Sequence, residues 1–405
     1  VAGDAGGTYM LRMLRALQHL DRDEAERRAQ EWMNETFGIA ADAVCLRPHR
    51  SALDSLSGVV TVHGEDFYFS SQIESGNPIK EHYNSRVLQI AGYNTLLPMN
   101  VFRRPEQQIA LYPIVDHPMM FDLARWSERG EPTTFDRDRL LTIEARESAR
   151  MLDVYLGSAA WSSDTEHACA PIHQLFWHRL TGRRFSNFYG VRTVRTPGGR
   201  EVDIGHVFDA KWIINGVTQK RKLRDLVTEA VNVLNPARDA LTVIGHGDAH
   251  LGNLLLDTDE HYLYIDAAFA GRHSVLLDVA RPLFFDVFAQ WIYFPNERIR
   301  ALSVDVDCAG TTIAVNYGNA FSALRRAYWE TKRKVLIDPV VEWLRDEGLS
   351  AQDARPLELA LMCCPLLARN LTDRIVFPPK LTWLGLALAV QLGNGDDEQE
   401  FAFAE

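Results

Sequence analysis

The stretch Val243-Ile-Gly-His-Gly-Asp-Ala-His-Leu-Gly-Asn-Leu-Leu-Leu256, with Tyr264-Ile-Asp-Ala-Ala-Phe-Ala-Gly271 after it, places polar groups where apolar strands end. Leu241 to Ile244, Leu254 to Leu256 and Tyr262 to Ile265 read as short strands, with Asp257-Thr258-Asp259 turning between the last two. Asp248 falls in a glycine-containing loop after the first strand, Asn253 opens the second, and Asp266 ends the third. Two carboxylates and an amide oxygen can therefore converge on one point. Phosphoryl transfer needs such a set, because its transition state asks for positioning and charge neutralisation more than for covalent help. Mg²⁺ is a hard, octahedral ion that takes one or two carboxylate or amide oxygens beside water and substrate phosphates, which suits Asn253 and Asp266. Asp248 is then left to orient an acceptor hydroxyl and accept its proton.

With these residues in place, the sequence resembles the aminoglycoside phosphotransferase and choline kinase-like family. That family's H-G-D-x-x-x-x-N loop and following I-D-x-x-x-x-G segment are matched by His246-Gly247-Asp248 to Asn253 and by Ile265-Asp266 to Gly271. His250 and Gly252 match the frequent H-P-G-N ending of the loop, with Leu251 where proline is common. The resemblance implies an α+β, bilobal protein-kinase-like fold: a small N-terminal antiparallel sheet lobe with one key helix, and a large, mainly helical C-terminal lobe. It implies Asp248 as catalytic base, Asn253 and Asp266 as Mg²⁺ ligands, ATP or GTP as donor, and His246 and His250 as architectural residues of the catalytic loop. Asp278, in Leu276-Leu-Asp-Val-Ala280, matches the family's Asp-Leu-Ala helix start and is read as structural.

Working outward, residues 1–116 read as the nucleotide lobe, with a leading helix, and 117–405 as the lobe carrying the catalytic loop and acceptor site. Asp21 to Phe37 is amphipathic, with Gly38 as its stop. Leu46 to Arg50, Gly58 to His63 and Phe67 to Ile73 form a three-strand meander. Asn77-Pro78 opens a helix that ends at Gly92, and Asn100 to Arg104 pairs with Gln107 to Ile114. Thr196 to Gly199 reads as a turn, Lys211 to Val217 as a short hairpin, and helices dominate from Ser274 to Leu392.

The nucleotide side departs from the family. A kinase-like third strand carries a lysine for the phosphates, paired with a glutamate on the next helix. Here Ser70 or Gln72 stands at that position, and Glu81 is the matching glutamate. Ser51-Ala-Leu-Asp-Ser-Leu-Ser-Gly58 replaces a glycine-rich loop, offering Ser51, Ser55 and Ser57 and backbone amides to phosphate. Arg47, Arg50 and Lys80 are the candidate replacement cations, and Tyr112 to Ile114 is placed like a hinge for a purine edge. Phe176, Trp177, Phe185, Phe188, Tyr189 and Trp212 either shape an acceptor pocket or are helical core.

A formal charge of −11 over 405 residues argues against a nucleic-acid partner and permits, without selecting, a cationic acceptor. Five cysteines without a C-x-x-C pair write neither a disulfide framework nor a structural zinc site, and a reducing cytoplasm is the expected setting. No apolar run reaches membrane-spanning length, so no membrane partner is expected. Residues 1–9 are set aside as a leader, and a monomer or weak dimer is the expected state. The expected partner is a small hydroxylated molecule, an antibiotic or related metabolite. Two rival readings remain: a metal-dependent hydrolase holding zinc with His246, Asp248, His250 and Asp266, and a kinase-like nucleotide-binding module without transfer activity.

Overall fold

The computed structural model describes residues 5–47, 55–72, 81–104, 107–190, 192–349 and 355–395. The architecture is α+β, as expected: an antiparallel sheet with two leading helices packed on it, then a larger and mainly helical part.

Two helices lead, α1 (Ala5–Leu17) and α2 (Arg22–Trp32). Asp21 caps α2 by accepting from the Glu24 amide, and Gly38, at φ +68°, ends the π-helical turn that follows. The sheet has the order β1-β2-β3-β5-β4, with β1 Ala41–Leu46, β2 Ser55–Val62, β3 Glu65–Gln72, β4 Asn100–Arg104 and β5 Gln107–Pro113. Leu11, Leu14, Ala25, Ala29 and Trp32 of the helices form one core with Leu46, Leu56, Val60, Phe69, Ile109 and Leu111 of the sheet. Strand alternation then sends Ser57 and Ser70, a directly opposed pair, to the other face. The edge of β1 is closed by α2: the Leu46 amide donates to Glu26 at 2.9 Å and the Arg22 guanidinium donates to the Leu46 carbonyl at 2.5 Å.

The structure refines the element boundaries read from the sequence. The first strand is Ala41–Leu46, with Ala41, Val44 and Leu46 buried; of the expected Leu46 to Arg50, residues 48–50 lie outside the described residues. Helix α1 begins at Ala5, and its Leu11 and Leu14 are fully buried against the sheet. Helices do dominate from Ser274, but Ser303–Ala309 and Thr312–Gly318 form an antiparallel hairpin among them that the sequence reading did not separate. Its second strand pairs in parallel with Lys211–Ile214, which itself forms the expected small hairpin with Val217–Thr218. Val304, Ile313, Val315 and Tyr317 are the buried, alternating residues that carried this signal.

A third helix, α3 (Glu81–Ala91), packs against the turn Ala267–Phe269. Its Asn84 side chain donates to the Ala268 carbonyl at 3.1 Å, and just beyond the helix the Leu96 amide donates to the Tyr264 carbonyl at 2.9 Å while the Tyr264 amide donates to the Asn94 carbonyl at 2.8 Å. The larger core gathers the helices Arg137–Ser158, Val275–Val287, Arg355–Ala368 and Pro379–Asn394. Phe176, Tyr189 and Trp212 lie buried within it, so these aromatics are core. All five thiols are unpaired. No described helix is long and apolar enough to cross a membrane.

Candidate active site

The strand Ala240–Gly245 ends at His246, whose buried ring is the hub of the loop. Nε2 donates to the Ile265 carbonyl at 3.0 Å, so Nδ1 is the lone-pair nitrogen, and it accepts the Asp248 amide at 3.3 Å. Burial holds this imidazole below its ordinary pKa, hence neutral, although Asp278, Asp248 and Asp266 pull the other way. One ring thereby ties the residue before Asp266 to Asp248. Both nitrogens are consumed, which leaves none for the zinc of the hydrolase reading.

Asn253 makes the third tie. Its Nδ2 donates to the Asp248 carbonyl at 2.9 Å, and its own carbonyl accepts from the Ile265 amide at 3.0 Å. The amide orientation this fixes leaves Oδ1 without a partner among the described residues. Asp266 sits at φ +57°, ψ +60°, a left-handed backbone that aspartate adopts more readily than most residues. A carboxylate and an amide oxygen held on backbone-locked segments fit a hard cation such as Mg²⁺.

Asp278 and Gly247 explain why the loop has its shape. The Asp278 carboxylate is fully buried; Oδ1 accepts the Gly247 amide at 2.5 Å and His273 Nε2 at 2.9 Å, while Oδ2 accepts the Tyr155 hydroxyl. Burial pushes this carboxyl up, but these bonds together outweigh it and hold it below the usual range. Gly245 is required beneath it, since a Cβ there would stand 2.5 Å from the carboxylate. Gly247 has φ +81°, and a Cβ would meet the Phe269 carbonyl at 2.5 Å. Gly247→Ala is therefore expected to destabilise the fold by about 1–3 kcal/mol. A shift of the urea midpoint equivalent to less than about 0.5 kcal/mol would remove the constraint.

One residue escaped the sequence reading. Arg281, one turn after Asp278, grips Asp248 through both carboxylate oxygens, Nε to Oδ1 at 2.5 Å and Nη2 to Oδ2 at 2.9 Å. Burial raises the Asp248 carboxyl, and the Arg281 charge, with His250 and the bonds from Arg281, overrides it and keeps the carboxyl below its ordinary pKa. The available signal was a run of apolar residues, Val275 to Val287, interrupted by Asp278, Arg281 and Asp286. Charges in such a helix cannot be buried unpaired, so each implies a partner.

Asp286 has that role too. Its Oδ1 accepts the Leu251 amide of the loop at 2.7 Å, and its Oδ2 lies 2.9 Å from Lys332, which also reaches Glu144 at 2.7 Å. Burial, with Glu144 alongside, lifts Asp286 to about 6 despite the lysine. His250 Nδ1 accepts the Gly252 amide at 3.0 Å, its ring stacks 5.1 Å from Phe285, and Nε2 stands 3.6 Å from Asp248.

No protein-family model matches the chain, and no curated protein matches it in sequence. Solved structures do. A spectinomycin phosphotransferase in complex with ADP and spectinomycin aligns over 90% of this chain and 98% of its own, at 11% identity and a TM-score of 0.39. The aminoglycoside phosphotransferase APH(4)-Ia aligns over 91% and 98%, at 11% identity and a TM-score of 0.45. A glucosamine kinase in complex with glucosamine, ADP and inorganic phosphate aligns over 82% and 78%, at 15% identity and a TM-score of 0.43.

Of the residues expected to bind nucleotide, Ser57 is buried and its hydroxyl donates to the Arg47 carbonyl at 3.3 Å, while Ser70 is half-buried beside it. Ser55 and Gln72 are paired in register at the end of the same two strands. Glu81 opens α3. Tyr112 is buried opposite Tyr68 on β5, and Ile114, just past the strand, is 51% exposed. Arg47 is exposed at the end of β1. Ser51, Arg50 and Lys80 lie outside the described residues.

Proposed function

We propose that the chain is a small-molecule kinase that transfers the γ-phosphoryl group of ATP or GTP to a hydroxyl of an antibiotic or related metabolite, in a Mg²⁺-dependent reaction. The observation that carries this reading is the hydrogen-bonded lock among three segments: His246 bonds both the Asp248 amide and the Ile265 carbonyl, and Asn253 bonds the Asp248 carbonyl. A fold has no structural need to hold one carboxylate, one unpartnered amide oxygen and a second, left-handed aspartate around one ring unless they act together.

In this reading Asp248 accepts a hydrogen bond from the acceptor hydroxyl, aligns its oxygen for in-line attack and takes the proton as the new P–O bond forms. A carboxyl kept below its ordinary pKa is a weak base, which suits a loose transition state in which the proton leaves late. Asn253 and Asp266 would hold Mg²⁺, which when bound supplies neutralisation of the phosphate charge. His246 and His250 keep the loop in register. Ser51, Ser55, Ser57, Ser70 and Gln72 are proposed to line the phosphates, Glu81 to order the cation that replaces the missing lysine, and Tyr112 and Ile114 to flank the base. The two lobes are taken as residues 1–116 and 117–405.

The decisive experiment incubates purified protein with magnesium and ATP or GTP against a panel of hydroxylated small molecules and reads mass gain of a phosphoryl group. Nucleotide binding without transfer to any acceptor would favour the binding-module reading instead. For the metal, Asp266→Ala is expected to weaken Mg²⁺-dependent nucleotide binding more than Asn253→Ala, since a carboxylate is the stronger ligand for a hard dication. Identical magnesium titrations for both variants and the parent would place the metal elsewhere.

A further inference from the structure

Behind the Asp248 loop lies a trio of buried imidazoles that the proposed reaction does not use. His167 is on the helix Asp164–Ala168, His173 on the turn Pro171–Gln174 and His273 on the strand Gly271–His273, and their exposures are 3%, 1% and 0%. Each ring commits one nitrogen. His167 Nδ1 donates to the Pro236 and Arg238 carbonyls at 3.1 and 3.2 Å, His173 Nε2 to the His167 carbonyl at 2.9 Å, and His273 Nε2 to Asp278. The remaining nitrogens, His167 Nε2, His173 Nδ1 and His273 Nδ1, are buried lone pairs with no hydrogen-bond partner among the described residues. The rings of His167 and His173 stand edge to face with centres 4.6 Å apart, and the turn that carries His173 packs on the strand that carries His273.

Such a ring can take a proton but has nothing to receive the new hydrogen bond. Arg238 and His273 act on His167, and His167, His273 and His178 act on His173, while Asp278 faces His273. A proton on His167 or His173 would create a buried N–H without an acceptor, beside another imidazole or a guanidinium, and a dry site opposes both. Burial accordingly holds these two rings below the ordinary histidine value, His173 at about 3. Among the described residues no trio of ligands is placed to share a metal ion, so a proton is the ligand these lone pairs can take.

We propose that the trio is an acid-sensitive latch on the Asp248 loop. His273 reaches Asp278 through the same Oδ1 that accepts the Gly247 amide, and its backbone pairs with Val243 on the strand leading into that loop. A proton on His167 or His173 is accommodated when residues 163–174 move off the strand Gly271–His273 and the ring reaches water. His273 then loses its packing, and Asp278 loses its fixed place beneath Gly247. The closed latch is neutral at these two rings and the open one titrates near 6.5, so opening takes up protons and becomes easier as pH falls from 6.5 toward the lower, closed value.

Hydrogen exchange of the full chain between about pH 8 and pH 5, read by mass spectrometry and normalised to intrinsic exchange rates, tests the latch. Below pH 6.5, protection of residues 245–250 should fall by about tenfold per pH unit for each titrating ring, while the sheet strands within 55–72 keep theirs. His173→Gln keeps an amide donor for the His167 carbonyl, and His167→Asn keeps one for the Pro236 carbonyl, and neither replacement titrates. Each folded variant should lose one such tenfold step per pH unit, and the two substitutions together should leave the loop's protection flat over this range. An unchanged slope in the folded variants overturns the latch. So does wild-type protection that is flat in pH, or that falls equally in 245–250 and 55–72, the mark of global unfolding. The two wild-type segments decide the matter where a variant does not fold. These readouts are structural, so a failed latch leaves the kinase reading standing, and a chain that phosphorylates nothing leaves the latch standing.

Discussion

Asp248→Asn is expected to lower phosphoryl transfer by on the order of 10²- to 10⁴-fold while largely preserving nucleotide affinity. The carboxylate is gripped by Arg281, and in the proposed reading it serves the acceptor while Asn253 and Asp266 serve the metal, so nucleotide binding is not expected to pass through it. An amide can offer the guanidinium one oxygen in place of two, and the buried arginine loses part of its partner at a cost of about 1–3 kcal/mol. Rates must therefore be compared well below the variant's melting temperature. Transfer within about threefold of the parent at neutral pH would exclude Asp248 as the base.

Asp278→Ala is expected to destabilise the protein by about 3–5 kcal/mol, the range for removing one partner of a buried charged cluster. Three donors lose their acceptor at once, the Gly247 amide, the Tyr155 hydroxyl and His273 Nε2, and none can reach water. Urea unfolding followed by far-UV circular dichroism gives the number, and a loss below about 1 kcal/mol would mean that the cluster repacks. The parent should also show the acid side of this dependence. Because the folded carboxyl sits below its ordinary pKa of 3.8, its contribution is complete above that value and disappears as pH falls through the lower, folded pKa. In Asp278→Ala that portion of the acid sensitivity should be missing.

Much of the candidate site is readable from order and spacing, because it is local. Asp248 and Asn253 belong to one strand-turn-strand unit and Asp266 ends the next strand, so the distances among them are set by short loops. The same holds for β2 and β3, where alternation alone sends Phe69 to the helices and Ser70 to the opposite face. The hairpin at Ser303–Gly318 was equally local in its alternation, yet what makes it a strand pair of a larger sheet is its parallel partner Lys211–Ile214, about ninety residues away in the chain.

The sequence alone determined the α+β order of elements, the helix that begins after Asp21, and the three residues proposed to handle acceptor and metal, because each follows from periodicity, capping chemistry or a short fixed spacing. Only the tertiary structure decided who neutralises the base. Arg281 lies 33 positions from Asp248, on a helix otherwise apolar, and the pair exists because packing of Val275–Val287 beneath the loop removes both charges from water together. Charge pairing over such a separation leaves no periodic trace in a sequence: an ion pair is selected by the desolvation that the finished core imposes, not by the propensities of the segments that carry it.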